Sequence, residues 1–208
     1  MNAIEHFIFD FDGTISDSYP LFVKICHEIA DEKGLPFEVD DVTLDRALKT
    51  NVKTGFCCLG WDKLFDITEF NHIFAEHQAL HKLDFHPFPD AVALLDNIAK
   101  CGKKSYLYTH SGAIVKDMLQ NMGLLDHFEF ILDSSYGFPA KPAPDALLYL
   151  LERLGLDARS CMMIGDRPID AQAGMNAGML GCLWDADNLF PEFIPDIRVR
   201  SLLDIDVV

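Results

Sequence analysis

Short apolar runs and helical stripes alternate along this chain, and their order predicts its architecture. The four residues Phe7 to Asp10, apolar except for the last, read as a buried strand that ends on one aspartate and presents Asp12 two positions later. Tyr19, Phe22, Val23, Cys26, Ile29 and Ala30 then recur at helical spacing until Gly34 and Pro36 stop the pattern. From Asp40 to Leu83 nothing alternates like a strand. DDVTLDRALKT opens on acidic capping residues, and TEFNHIFAEHQALHKL sets Phe70, Ile73, Phe74, His77 and Leu80 on one face, so the whole stretch is predicted helical. The two prolines of HPFPD, His86 to Asp90, predict an extended joint with Asp90 as an N-cap.

Beyond that joint the period switches. A helix over Ala91–Cys101 should end at Gly102, followed by the strand SYLYT. A helix over Ile114–Met122 should end at Gly123, followed by FEFIL. A helix over Asp145–Leu154 should end at Gly155, followed by CMMIG, and a helix over Ile169–Ala177 should end at Gly178, followed by GCLW. Short apolar strands separated by helices predict an α/β fold with a doubly wound parallel sheet. The first strand belongs with the later ones, so the helical block is an insertion. The expected domains are an α/β core over 1–15 and 86–208 and an all-helical domain over 16–85.

Composition narrows the partners. With 208 residues, half of them hydrophobic, the chain can bury an ample core without staples. A formal net charge of -16 argues against wrapping nucleic acid or lying on an anionic membrane, both of which need a basic face. The expected partners are small molecules or cations. Six cysteines without a CxxC pair suggest reduced thiols and a cytoplasmic location. MNAIEHF has no signal-peptide succession, and no apolar run approaches the length of a membrane span. The sequence does not disclose an oligomeric state.

In open α/β sheets, ligands bind at the carboxyl ends of strands. The residues expected there are Asp10 and Asp12, Thr109 and His110, Lys141 in FPAKPAP, and Asp166 and Asp170 in GDRPID. Two carboxylates ~6 Å apart in an effective dielectric of ~20 repel by roughly 3 kcal/mol, so Asp10 and Asp12 call for a neutralising partner. Mg²⁺, which takes oxygen ligands from one or two carboxylates plus phosphate and water, would turn that repulsion into attraction. A solvated Asp-Gly turn is the plainer alternative. A calcium loop fails on spacing, since its glycine would fall on Ile15 and its closing glutamate on Leu21. His77 and His81 stand four apart but lack a third ligand and the intervening glutamate of a zinc protease, which favours a core role for His77. THSGA lacks the nucleophile-elbow pattern. GMNAGMLG closes a helix instead of opening one, so its small residues are expected to let that helix approach the sheet.

DFDGT, a threonine closing the second strand, the KP lysine and GDRPID, in that order, resemble the four motifs of the haloacid dehalogenase (HAD) superfamily. The match runs over nearly the whole chain. The helical insertion after the first motif resembles the C1 cap of subfamily I, and IPDIRVRSLLDI resembles the family's final strand and helix. The resemblance implies that Asp10 is a nucleophile forming an aspartyl-phosphate and that Asp12 is the acid and base serving its formation and hydrolysis. It further implies that Asp10, the backbone carbonyl of Asp12 and Asp166 hold Mg²⁺, with Asp170 acting on the metal indirectly or through water. Thr109, the amide of His110 and Lys141 would cradle the phosphoryl oxygens. His110 stands where the family most often has Asn, and Arg167 is a candidate phosphate contact.

The implied activity is Mg²⁺-dependent hydrolysis of a small phosphorylated metabolite, such as phosphoglycolate, a sugar phosphate or a nucleotide. The alternative is a phosphosugar mutase of the β-phosphoglucomutase type, whose members usually carry Val where this chain has Thr14. Dehalogenases lack the second aspartate, and phosphonatases use a cap lysine that none of Lys24, Lys49, Lys53 and Lys63 matches by an apolar setting. A receiver-like phosphoacceptor module would have a different strand order and no insertion. Cap residues Lys49, Lys53 and Trp61 are expected to contact the leaving group, with hinges near Ile15–Ser18 and Asp84–Pro89.

Overall fold

The structure is a computed structural model and describes residues 3–207. Its strands are β1 (His6–Phe9), β2 (Lys104–Tyr108), β3 (Phe128–Leu132), β4 (Cys161–Gly165), β5 (Leu180–Trp184) and β6 (Ile197–Val199). They form one parallel sheet in the order β3-β2-β1-β4-β5-β6. This is the doubly wound α/β sheet that the alternation predicted. Buried on both faces, parallel strands read as unbroken apolar runs, as CMMIG does in β4, where every residue is buried.

The strand order reverses on either side of β1, and such a switch point opens a crevice at the carboxyl ends. The register pairs Phe9 with Leu107 on one side and with Ile164 on the other, so Asp10 comes level with Tyr108 and Gly165. The ladder runs one residue past each strand: Asp10 N–H donates to the Ile164 carbonyl and Thr109 N–H to the Leu132 carbonyl, both at 2.9 Å. The site residues at these strand ends therefore hang on sheet hydrogen bonds.

The helices, in chain order, are α1 (Tyr19–Lys33), α2 (Asp41–Thr50), α3 (Val52–Cys58), α4 (Ile67–Leu80), α5 (Pro89–Lys100), α6 (Val115–Met122), α7 (Asp145–Leu154) and α8 (Pro168–Asn176). Among the described residues no helix is long and apolar enough to cross a membrane. Close approach of α8 to the sheet depends on absent side chains. A Cβ on Gly181 of β5 would lie 2.3 Å from the Ala171 carbonyl oxygen, and one on Gly174 would lie 2.6 Å from Met163 Cβ. The expectation for the small residues of that segment is met at these two positions.

The start of α5 differs from its expectation. Asp90 is not the N-cap of α5: Phe88 is, and Pro89 takes the first helical position, where its fixed φ suits a helix and its missing N–H goes unmissed. Asp90 lies in the first turn instead, its carboxylate accepting the Ser201 hydroxyl at 2.6 Å. After β6 the chain makes only a short 3-10 turn, Leu202–Asp204, capped by Ser201.

Two compact units result. One comprises the chain up to Ser16 together with the chain from Pro87 on; the other is Asp17–His86. The second is helical and packs around its own aromatic core, where Phe70 lies within 6.3 Å, ring to ring, of Phe56, Trp61, Phe65 and Phe74. Trp61 is wholly buried and its indole N–H donates to the Pro36 carbonyl at 2.8 Å. That corrects the expectation that Trp61 contacts a leaving group, since its ring is occupied in the core of the helical unit. Lys49 pairs with Asp45 at 3.0 Å and lies 5.8 Å from the Tyr19 ring centre, while Lys53 is exposed. His77 is buried with its ring nitrogens 3.5 and 3.4 Å from Glu28 and Glu32, and His81 contacts Glu28 and Asp84, both at 2.7 Å.

Candidate active site

Asp10 directly follows β1, with its side chain almost fully buried. An isolated carboxylate there would be strongly disfavoured, and the neighbouring strand ends supply the compensation. Lys141, in the loop between β3 and α7, sends a fully buried ammonium to 2.7 Å from Asp10 Oδ1 and 2.8 Å from Asp170 Oδ1. The same ammonium lies 4.6 Å from the Tyr108 ring centre, over its negative face. Arg167, which N-caps α8, places a guanidinium nitrogen 3.7 Å from Asp10 Oδ2.

These charges set the ionisation. Burial pushes the Asp10 carboxyl up, but Lys141 and Arg167 outweigh it and hold the group below the usual carboxylate value. Burial likewise works against the Lys141 ammonium, and the charges of Asp10 and Asp170 more than reverse it. Asp170 is raised, because burial and the Asp10 charge exceed what Lys141 returns. The nucleophile candidate is thus a carboxylate at neutral pH, held against a lysine that stays charged.

Asp170 comes this close through a glycine. A Cβ on Gly165 would lie 2.2 Å from Asp170 Cβ, so the last residue of β4 must lack a side chain for the first turn of α8 to bring Asp170 in. Asp170 Oδ2 also accepts the Arg167 N–H at 3.1 Å, closing the turn that carries Asp166. Asp166 is half-buried and accepts from the buried Thr14 hydroxyl at 3.4 Å.

Asp10, Asp166 and Asp170 each offer one carboxylate oxygen to a space in which the three lie within 4.8 Å of one another. Asp10 Oδ2 is buried without a hydrogen-bond partner. An all-oxygen donor set of three converging carboxylates fits a hard divalent cation. The carboxylate of Asp12 lies apart from this cluster, its Oδ2 accepting the Ser111 hydroxyl at 2.8 Å. Lys141 on Asp10 and Ser111 on Asp12 thus moderate the repulsion posed by the first motif even before any metal ion.

Thr109 is buried, and its hydroxyl oxygen accepts the Ser111 N–H at 3.0 Å. His110 keeps an exposed edge, and its Nε2 accepts the Lys141 backbone N–H at 3.1 Å, which assigns the ring proton to Nδ1. Burial of the rest of the ring, reinforced by the Lys141 charge, pushes His110 down to about 4. The structure therefore brings Asp10, Lys141, Asp166, Asp170 and Arg167 into one cluster, with Thr109 and His110 on the adjoining strand end. Ser111 was missed as a site residue. Its signal was position: in the turn after a strand, two beyond Thr109.

The sequence profile of the haloacid dehalogenase-like hydrolases matches residues 7–183. The phosphoglycolate phosphatase of Vibrio cholerae is 27% identical over 231 aligned positions, covering 100% of this chain and 99% of the relative. The N-acetylmuramic acid 6-phosphate phosphatase of Pseudomonas putida is 26% identical over 177, covering 82% and 78%. Among solved structures, a haloacid dehalogenase-like family hydrolase of Streptococcus pneumoniae shares the fold at a TM-score of 0.80, with 22% identity over 98% of this chain and 97% of the other. The profile spans most of the sequence, and the chain belongs to the haloacid dehalogenase-like hydrolases.

Proposed function

We propose that the chain is an Mg²⁺-dependent phosphatase that hydrolyses a small phosphorylated metabolite, a phosphomonoester, through an aspartyl-phosphate on Asp10. The observation that carries this reading is the buried Asp10 carboxylate, kept ionised by Lys141 at 2.7 Å beside two further carboxylates. The named activities of the curated relatives support the substrate class.

In this reading an Asp10 carboxylate oxygen attacks phosphorus as the bond to the leaving oxygen breaks. Asp12 gives that oxygen its proton. Water then attacks the aspartyl-phosphate and loses a proton to Asp12; the bond between phosphorus and Asp10 breaks, returning the carboxylate and releasing inorganic phosphate. The Thr109 hydroxyl, the His110 amide and the Lys141 ammonium hold the phosphoryl oxygens as charge redistributes. Asp10, the Asp12 carbonyl and Asp166 would hold Mg²⁺, with Asp170 acting indirectly or through water. When bound, the cation neutralises phosphoryl charge and orients the phosphate. The helical domain, 16–85, is read as a cap that excludes water during transfer. Six unpaired cysteines support a cytoplasmic location.

The test is phosphate release from a panel of phosphorylated metabolites and one aryl phosphate, with Mg²⁺ and with EDTA, monitoring sugar-phosphate isomerisation in the same tubes. Metal-dependent release, abolished in Asp10→Asn, is expected. Isomerised sugar phosphate with little free phosphate would make the protein a mutase, and activity surviving in Asp10→Asn would overturn the nucleophile assignment.

A further inference from the structure

Ser111 uses all of its polar groups. Its N–H donates to Thr109 Oγ1 at 3.0 Å, its carbonyl accepts the Ser134 N–H at 3.0 Å, and its hydroxyl donates to Asp12 Oδ2 at 2.8 Å. The first two bonds fix the backbone of the turn against β2 and against the segment following β3. The third joins residues 99 positions apart in sequence. Serine hydroxyls in turns ordinarily bond to their own local backbone. This one reaches from the turn after β2 to the carboxylate after β1 that is read above as acid and base.

We infer that Ser111 is a positioning residue for Asp12, holding the carboxylate in the orientation from which it gives up and takes back a proton. The inference rests on the proposed role of Asp12. An aspartate on a loop can rotate, and an acid displaced by about 1 Å from its productive place loses about a hundredfold in rate. Bonding Oδ2 to an anchored hydroxyl fixes where Oδ1 lies. The chemistry of the partner suits the task. A lysine or arginine in its place would hold Asp12 ionised and unfit to donate. A hydroxyl donates to the carboxylate and, after rotation, accepts from the carboxyl, so it serves Asp12 in both protonation states.

The test compares Ser111→Ala, Ser111→Thr and Asp12→Asn on an alkyl phosphate and on p-nitrophenyl phosphate, with Mg²⁺. For Ser111→Ala, kcat on the alkyl ester should fall about tenfold, part of the contribution of an acid–base group, with KM within about twofold. On the aryl ester, whose leaving oxygen needs no proton, the first equivalent of nitrophenol should appear at the wild-type rate. Turnover should then slow, because activating water still needs Asp12. Ser111→Thr, which keeps the hydroxyl, should restore both behaviours. If Asp12→Asn shows this pattern and Ser111→Ala behaves as wild type, the inference fails while the reading of Asp12 stands. If Asp12→Asn lacks the pattern, the reading itself fails. Equal loss in both phases and on both esters, not rescued by threonine, would make Ser111 a structural residue and overturn the proposal.

Discussion

Lys141 Nζ lies 2.7 Å from Asp10 Oδ1, and the two side chains are buried together, with Asp170 as the third member of the cluster. The ammonium is thus the counter-ion of the nucleophile candidate as well as a candidate phosphate ligand. Removing it in Lys141→Met would strand two buried carboxylates, at a cost of about 3–5 kcal/mol of stability at neutral pH. Urea denaturation checks this. The double variant Lys141→Met/Asp170→Asn should recover much of the lost stability without recovering phosphate release. If the single variant is as stable as wild type, the pair does not compensate buried charge as the geometry requires.

The three-carboxylate cluster predicts metal-linked stability. A cation that binds only the folded chain, at a hundredfold excess over its dissociation constant, stabilises by about 2.7 kcal/mol. Mg²⁺ titrated into EDTA-treated protein should raise its melting temperature, and Asp166→Asn should lose most of that rise. An unchanged Mg²⁺ response in Asp166→Asn would exclude that carboxylate as a ligand.

Some of this site could be read directly from the sequence. The strands were legible because parallel strands buried on both faces are unbroken apolar runs, and glycines such as Gly123 and Gly155 mark the helix ends with positive φ. Asp10, Thr109 and Asp166 were legible because ligands gather where such strands stop. The pairings were not. Lys141 with Asp10 and Ser111 with Asp12 join residues 131 and 99 apart, and only the strand order makes them neighbours. Asp90 was misplaced because an acidic residue before an apolar stripe suits an N-cap and a first turn alike, and Pro89 decided between them.

His110 predicts a pH dependence with a definite sign. Its ring is pushed down to about 4 in the folded chain, by burial first and the Lys141 charge second, against 6.5 for a free histidine. Between those values the unfolded chain binds the proton that the folded chain does not, so stability falls as pH drops from 6.5 towards 4. Above 6.5 the residue contributes no slope. His110→Asn should remove that slope, so the wild-type-minus-variant difference in urea stability should change with pH across that window and stay constant above it. The His110 ring resonances should titrate near the lower value, and titration at 6.5 would refute the depressed ionisation.

Gly165 predicts a steric effect on the site. Alanine there would place its Cβ 2.2 Å from Asp170 Cβ, a contact that backbone or side chain must relieve by moving. Overpacking of this kind costs about 1–3 kcal/mol. Here the displaced group bonds to Lys141 and to the Arg167 N–H, so phosphate release should fall by more than the stability loss explains. Steady-state kinetics at a temperature where the variant remains folded separates the two effects. A variant of normal kcat with reduced stability would show that the position of Asp170 is not critical to turnover.

Trp61 tests whether the helical unit is held by its own core. The segment containing it, GWDKLF, has no helical or strand period, so its burial was hidden in the sequence; the ring packs against Phe37, Phe65 and Phe70 while its N–H satisfies the Pro36 carbonyl. Trp61→Ala should therefore cost about 3–5 kcal/mol through the lost ring and the cavity left behind. Hydrogen exchange should rise in α1–α4 and much less in the strands. Exposed Lys53, replaced by alanine, should change stability by less than about 0.5 kcal/mol, in contrast to Trp61. A Trp61→Ala protein with unaltered exchange but altered substrate preference would return the indole to the role of substrate contact and contradict its place in the core.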